Sequence, residues 1–407
     1  MWLDLTDDES HRPPNLDVEI TDVKTMGVEG NPKDDGFYTW GILKVETDVG
    51  EHGIGETFRG MEALDLAERI APHVVGQNPL DPARIAGLLS ASYTGSGTVG
   101  QSAITAIETA CWDVKGKVHD LPVYELLGGK FRDRVEVYSD TDAMARTDDR
   151  DEQYTPEAVA AAARDVVDQG FESIKFDLDV PTPDHSNTDT AARRLDPKEI
   201  DHKVEMVEAV REEVGYGIDL GMDLHWKFSV ETAIRLGKAL EAFDLSFLED
   251  PVHPEKLDAQ RRVKRQVDVP ILSGENVVTA NRFFDLLRND TLDIAAPDMA
   301  RCGGLAEFGK IAALCDVHGV VMAPHNLTSP VGTIASVHAC AAIPNAYSVE
   351  YRGGDAPWWE DVVTLTEGSG PLLADGHIDV PNGPGLGVEI NSDGARERLV
   401  EESNYVF

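Results

Sequence analysis

An α/β fold whose main body is a (β/α)8 barrel, with an α+β region ahead of it, is what the 407-residue sequence predicts, and three observations carry that prediction. Short apolar runs that each end in a polar residue recur eight times after Arg134: "VEVYSD", "SIKFD", "GIDLGMDLH", "LSFLED", "PILSGE", "LDIAAPD", "VVMAPH" and "AYSVE". From the third run onward the polar ends Asp223, Glu249, Glu275, Asp298, His325 and Glu350 follow one another at 23 to 27 residues. A strand with its crossover helix takes about 30 residues, so each step is one βα unit. Helical stretches fill the intervals, and eight such units within about 240 residues are what a TIM-type barrel requires. Only the interval from Asp177 to Asp223 is longer, at 46 residues, and it holds a polar insertion from Pro181 to Pro197.

Residues 1–16 lack a basic region followed by an apolar one, so they read as a flexible lead-in and not as a signal peptide. From Asp17 to Glu56 the pattern is strand-like, with "TDVGEHGIGE" supplying a hairpin turn. The stretch "SAITAIETACWDVKGK" puts Ala103, Ile107, Ala110, Cys111 and Val114 on one helical face, with Ser102 as the expected N-cap. "LPVYELLGGK" reads as a short helix stopped by its glycines. The α+β region therefore covers 17–131 and the barrel 132–372.

Composition narrows the function classes. Asp and Glu number 74 against 36 Lys and Arg, a formal charge of −38 at pH 7. Such a surface repels nucleic acid and anionic membranes, and charge of this size along a whole chain suits a protein adapted to high salt. There is no run of about 18 apolar residues to span a membrane. Cys111, Cys302, Cys315 and Cys340 have no metal-type spacing and read as reduced core thiols of a cytoplasmic protein.

A barrel gathers the C-terminal ends of its strands around one mouth, where active sites of this fold lie. In "GMDLHWKF" the alternation sends Asp223, His225 and Lys227 to one strand face. Asp223, Glu249 and Glu275 on three successive strands form an oxygen-only ligand set, which favours Mg²⁺, with Mn²⁺ second. On the next two strands Asp298 can orient His325 as a general base. His225 lies four strands away from His325, so the two histidines are expected on opposite sides of the metal, one as base and one as acid.

The set "KFD", "MDLHW", "LEDP", "SGE", "PDMARCGG", "APHN" and "VEY" resembles the mandelate racemase subgroup of the enolase superfamily. "ACWDVKGKVHDLPVYELLGGKFRDRV" resembles that family's capping region, and "IDVPNGPGLGVEI" its C-terminal segment. The resemblance implies that residues 17–131 cap the barrel and that 373–407 return to the cap. It also implies a substrate carboxylate on Mg²⁺, proton abstraction α to it through an enediolate, and a homo-oligomer. A Lys or His base with Mg²⁺ is the pattern of this superfamily. Three departures discriminate within it. Lys175-Phe-Asp177 replaces the Lys-x-Lys of racemizing and lactonizing relatives, and Asp298 stands where other relatives carry a lysine base. His225 stands where the racemase has Asn, and a histidine there resembles the acid-sugar dehydratases, in which it protonates the leaving 3-hydroxyl. The resemblance thus points to a dehydratase of an aldonate such as gluconate, xylonate, galactonate or arabinonate. A racemase or epimerase of a 2-hydroxy acid, and a non-catalytic sugar-acid binder, are the alternatives.

The remaining candidates are read in two ways each. Lys175 either binds the substrate carboxylate or neutralises Asp177. Glu350 either donates a hydrogen bond to the enolate oxygen, as its family counterpart does, or is a buried structural acid. Arg301, Asn326 and Asp177 are candidates for contact with sugar hydroxyls. Trp358 and Trp359 wall the pocket or belong to the core, and His318 and His338 are structural. By family position, the loops near Gly36–Trp40 and Glu56–Arg59 are where specificity is expected.

Overall fold

The computed structural model describes residues 17–31, 38–58, 60–93, 97–141, 153–180, 193–401, 403 and 405–407. The lead-in 1–16, Gly36, Phe37, Arg59 and most of the insertion after Pro181 lie outside them.

Strands β1 (Ile20–Glu29), β2 (Thr39–Thr47) and β3 (His52–Thr57) form an antiparallel sheet, with the β2–β3 turn at Asp48–Glu51 where the hairpin was expected. Helices α1 (Met61–Ile70), α2 (Pro82–Tyr93) and α3 (Gly97–His119) cover it. The sheet and α3 approach closely, because a Cβ at Gly53 or Gly55 would stand 2.0 Å from the carbonyl oxygen of Ala110 or Ala106. One apolar cluster, with Leu43, Val45, Ile104, Ile107 and Cys111, fills the space between them.

The expected N-cap at Ser102 is corrected. Helix α3 begins at Gly97, and Ser102 is buried within it, its Oγ accepting from Phe58 N at 2.6 Å. Tertiary contact with β3 claims the hydroxyl that local sequence assigned to a cap. The short helix α4 (Val123–Leu126) ends before Gly128 and Gly129, whose φ values of 119° and 93° suit glycine alone.

Eight parallel strands follow: β4 (Arg134–Asp140), β5 (Ser173–Asp177), β6 (Asp219–Asp223), β7 (Phe247–Glu249), β8 (Ile271–Ser273), β9 (Ile294–Ala295), β10 (Val321–Met322) and β11 (Val349–Tyr351). Each pairs with the next from β4 to β10, and β11 pairs with β4. The barrel closes where Tyr347 N donates to Met322 O at 2.7 Å and Glu350 N to Pro324 O at 3.0 Å. Between the strands run α5 (Pro156–Asp168), α6 (Pro197–Val214), α7 (Val230–Leu240), α8 (Leu257–Lys264), α9 (Ala280–Arg288), α10 (Leu305–Val317) and α11 (Pro330–Ala341). Pro197 opens α6 behind an Asp196–Glu199 capping box. Tyr138, Phe247, Leu272, Ile294, Ala296 and Ala323 pack the barrel interior. The four cysteines are buried and unpaired.

The C-terminal segment divides its contacts. β12 (Val363–Leu365) pairs with β15 (Val388–Ile390), and between them the hairpin of β13 (Leu373–Ala374) and β14 (His377–Asp379) adds to the N-terminal end of β4. From Asn382 onward the chain meets the cap. Glu389 pairs with Lys117 at 2.6 Å and His52 at 2.9 Å, and Val400 N donates to Gly27 O at 3.1 Å. No helix among the described residues is long and apolar enough to cross a membrane.

Candidate active site

The third barrel strand stops sooner than its alternation predicts. β6 ends at Asp223, and His225 and Trp226 turn in left-handed conformations with φ of 39° and 49°. Trp226 N donates to Asp250 O at 2.7 Å and His225 N to Asp223 Oδ1 at 2.8 Å, which fixes the turn. Lys227 accordingly leaves the row and pairs with Asp179 at 2.9 Å. His225 nonetheless returns its ring to the mouth, with Nδ1 3.7 Å from Asp223 Oδ1.

Asp223, Glu249 and Glu275 bring one carboxylate oxygen each within 4.8 Å of one another. All three are buried, and Glu249 Oε1 has no hydrogen-bond partner. A buried carboxylate oxygen without a donor is costly, and a divalent cation bound by the trio would remove that cost and their mutual repulsion. The donor set therefore fits Mg²⁺. Burial and the neighbouring Asp223 hold Glu249 well above the usual carboxylate range, against the pull of Lys175. Burial works against Asp223 as well, but Lys175 and His225 overcome it and keep that carboxyl far down. Asp177, Asp223 and His225 form a second convergent group, and Lys175 does not neutralise Asp177. Its Nζ instead lies 3.0 Å from Asp223, 2.9 Å from Glu249 and 2.7 Å from Glu350. Its own burial disfavours the ammonium, yet these carboxylates raise its pKa well above normal.

At the other end of the trio His325 Nδ1 lies 2.5 Å from Asp298 Oδ2, and its Nε2 lies 3.3 Å from Glu275 Oε2 and 3.8 Å from Glu350 Oε2. Burial lowers the affinity of His325 for a proton, and Glu350, Glu275 and Asp298 together more than restore it. The two histidines thus stand at opposite ends of the Asp223–Glu249–Glu275 row. For His225, burial is again outweighed, and Asp223 with Asp179 and Asp177 pushes it up to about 11. A cation on Asp223 would take away part of that push.

Arg301 lies over the Phe58 ring at 3.7 Å, donates to Asn276 at 3.0 Å and approaches Asp298 at 3.6 Å. Phe58, from the cap, also meets the His325 ring with centroids 5.9 Å apart. Asn326 is bound internally: its amide nitrogen donates to Thr333 Oγ1 and Glu350 O, and its oxygen accepts from Thr328. Trp358 and Trp359 are buried, donating to Glu29 O and Thr328 O. His338 is buried between Leu386 O and Tyr124 N, and His318 bonds to Leu314 O at the exposed end of α10. One neighbour, Asp179, escaped the sequence reading, while Phe58 falls within the Glu56–Arg59 stretch where specificity was expected. Asp179 continues the Lys175–Asp177 alternation by one more step, a usable signal, whereas Phe58 reaches the mouth only through the docking of the cap.

Comparison with known proteins agrees with this architecture. Residues 158–394 match the enolase C-terminal domain-like family, and 37–128 match the N-terminal domain of mandelate racemase/muconate lactonizing enzymes. The chain is 43% identical to the D-xylonate dehydratase of Haloferax volcanii, over 95% of this chain and 90% of that protein. It is 32% identical to the D-galactonate dehydratase of Pectobacterium atrosepticum, over 88% and 91% of the two chains. A mandelate racemase/muconate lactonizing enzyme-like crystal structure from Rubrobacter xylanophilus superposes with a TM-score of 0.87 at 34% identity, covering 95% of this chain and 98% of that one. The chain belongs to the mandelate racemase/muconate lactonizing enzyme family of the enolase superfamily.

Proposed function

We propose that the protein is a Mg²⁺-dependent hydro-lyase that dehydrates a sugar acid to its 2-keto-3-deoxy product. The observation that carries this reading is the pair of histidines flanking one carboxylate trio, His325 beside Glu275 and His225 beside Asp223. Racemisation needs no acid for a leaving hydroxyl, whereas dehydration does. The dehydratase relatives support the same class, and D-xylonate is the first substrate to assay.

Asp223, Glu249 and Glu275 would hold the cation, which supplies a counter-charge for the substrate carboxylate as negative charge gathers there. His325 takes the C2 proton on Nε2, while Asp298 accepts from Nδ1–H and fixes the ring. Lys175 adds a buried positive charge beside Asp223, Glu249 and Glu350. The electron pair released at C2 then forms the C2=C3 bond and expels the 3-hydroxyl, which leaves as water with a proton from His225. The resulting enol tautomerises to the 2-keto acid. Arg301, with Phe58 stacked beneath it, would face the sugar hydroxyls, and Asn326 would hold Glu350 in place.

The test is direct. Incubation with D-xylonate, gluconate, galactonate and arabinonate, with Mg²⁺ and molar KCl, should release a 2-keto-3-deoxy acid from at least one of them. Epimerised or C2-deuterated substrate in D₂O without any loss of water would establish a racemase instead.

A further inference from the structure

Asp179 lies two residues past β5, and its side chain is only 9% exposed. Its Oδ1 stands 3.2 Å from His225 Nδ1 and its Oδ2 2.9 Å from Lys227 Nζ. Both neighbours in sequence are tied down. Leu178 N donates to Asp223 O at 2.9 Å, and Lys203, fully buried on α6, donates to Val180 O at 2.8 Å. Burying that lysine against one carbonyl is expensive, and it lowers the Lys203 pKa to about 8. The fold accepts this cost, which anchors the backbone beside Asp179.

The histidine side is constrained in the same way. Left-handed backbone at a non-glycine residue is unfavourable and persists only where its surroundings impose it. Two such residues in succession, His225 and Trp226, swing the His225 ring against Asp179. Asp223 and Asp177 lie farther from Nδ1, at 3.7 and 3.9 Å. Asp179 is therefore the carboxylate at hydrogen-bond distance.

We infer that Asp179 is the positioning residue of His225, forming a second histidine–carboxylate pair in the mouth to match Asp298–His325. This rests on the dehydratase reading above. Asp179 accepts from Nδ1–H and so leaves Nε2–H to deliver its proton to the departing 3-hydroxyl. The C3–O bond breaks with its electron pair on oxygen, that oxygen takes the Nε2 proton, and water departs. Lys227 holds the second carboxylate oxygen and keeps Asp179 from swinging away.

The readout is the partition between C2 deuterium in recovered substrate and 2-keto-3-deoxy acid formed, followed in D₂O with the full-length protein and Mg²⁺. Asp179→Ala should slow dehydration by about 10- to 10²-fold while C2 exchange continues, because the base side is untouched. The double variant Asp179→Ala/His225→Asn should be no slower than His225→Asn alone. Asp179→Asn keeps the shape and one acceptor oxygen, so it should show the same shift in partition at smaller amplitude, and it decides the matter if the alanine variant does not fold. An unchanged partition in both variants overturns the assignment, as does a double variant slowed by the full product of the single effects. A wild-type protein that exchanges C2 hydrogen without ever releasing water overturns the dehydratase reading itself, and this role with it.

Discussion

Glu56 in the cap and Ser329 at the head of α11 are joined by two hydrogen bonds, Ser329 N donating at 2.8 Å and Ser329 Oγ at 2.5 Å. Gly332 N adds a third at 2.9 Å. The cap thereby closes the N-terminus of the helix that follows His325. Glu108 on α3 does the same one unit earlier, accepting from Leu305 N at 2.8 Å and Ala306 N at 3.1 Å on α10. Two carboxylates of the cap thus satisfy first-turn amides of two successive barrel helices.

The Glu56 contact makes pH part of the stability of the cap. Burial raises the Glu56 pKa from 4.5 to about 7, against the hydrogen bonds that lower it. A raised folded pKa contributes stability that is fully present below the unfolded value and is lost as pH rises through the folded one. Urea unfolding of the wild type and Glu56→Gln should therefore diverge most at about pH 5. The wild-type advantage should shrink by on the order of 2 kcal/mol by about pH 8. A constant difference across that range would show that Glu56 ionises as an ordinary carboxylate.

For the metal, Glu249→Gln keeps the shape of the central carboxylate of the trio and removes its charge. Mg²⁺ binding measured by calorimetry should disappear, and turnover should fall on the order of 10²-fold or more. Exhaustive EDTA treatment of the wild type should abolish activity and Mg²⁺ should restore it. Full activity after such treatment would refute the cation reading.

Most of this architecture was legible in the sequence because a barrel repeats. Eight apolar runs, each stopped by a polar residue, carry their own spacing, and the ends at Asp223, Glu249 and Glu275 mark one rim. What the sequence concealed depends on contacts distant in the chain. Alternation extends the third strand to Lys227, but the carbonyl of Asp250 captures Trp226 N and bends the chain after Asp223. Helical periodicity names Ser102 as a cap, but Phe58 N, 44 residues upstream, occupies its hydroxyl. Lys175 turns from Asp177 to three carboxylates on other strands, a choice that only the closed barrel offers.

The charge of −38 should make the stability of the fold depend on salt. Near 1 M salt the Debye length is about 3 Å, so repulsion between surface acids is largely screened there. At about 0.1 M it reaches about 10 Å and couples neighbouring carboxylates over the whole surface. Melting temperature should climb steeply from about 0.1 M to about 3 M KCl. A flat profile would remove the high-salt reading and leave the dehydratase reading intact.

The two histidines make separable predictions because the proposed mechanism gives them different bonds. On the proposed mechanism His325, held by Asp298, breaks the C2–H bond, and every later event depends on it. His325→Asn should therefore lose both C2 exchange and dehydration. On the same mechanism His225 acts only when the 3-hydroxyl departs, and a hydroxide is a poor leaving group without a proton donor. Acid catalysis of that kind is worth about 10²–10⁴ in rate. His225→Asn leaves the base, the carboxylate trio and Lys175 in place, so recovered substrate should carry deuterium at C2 while product formation falls by about that factor. His225→Asn dehydrating at the wild-type rate would assign the acid elsewhere, and the argument against a racemase would lose its main support.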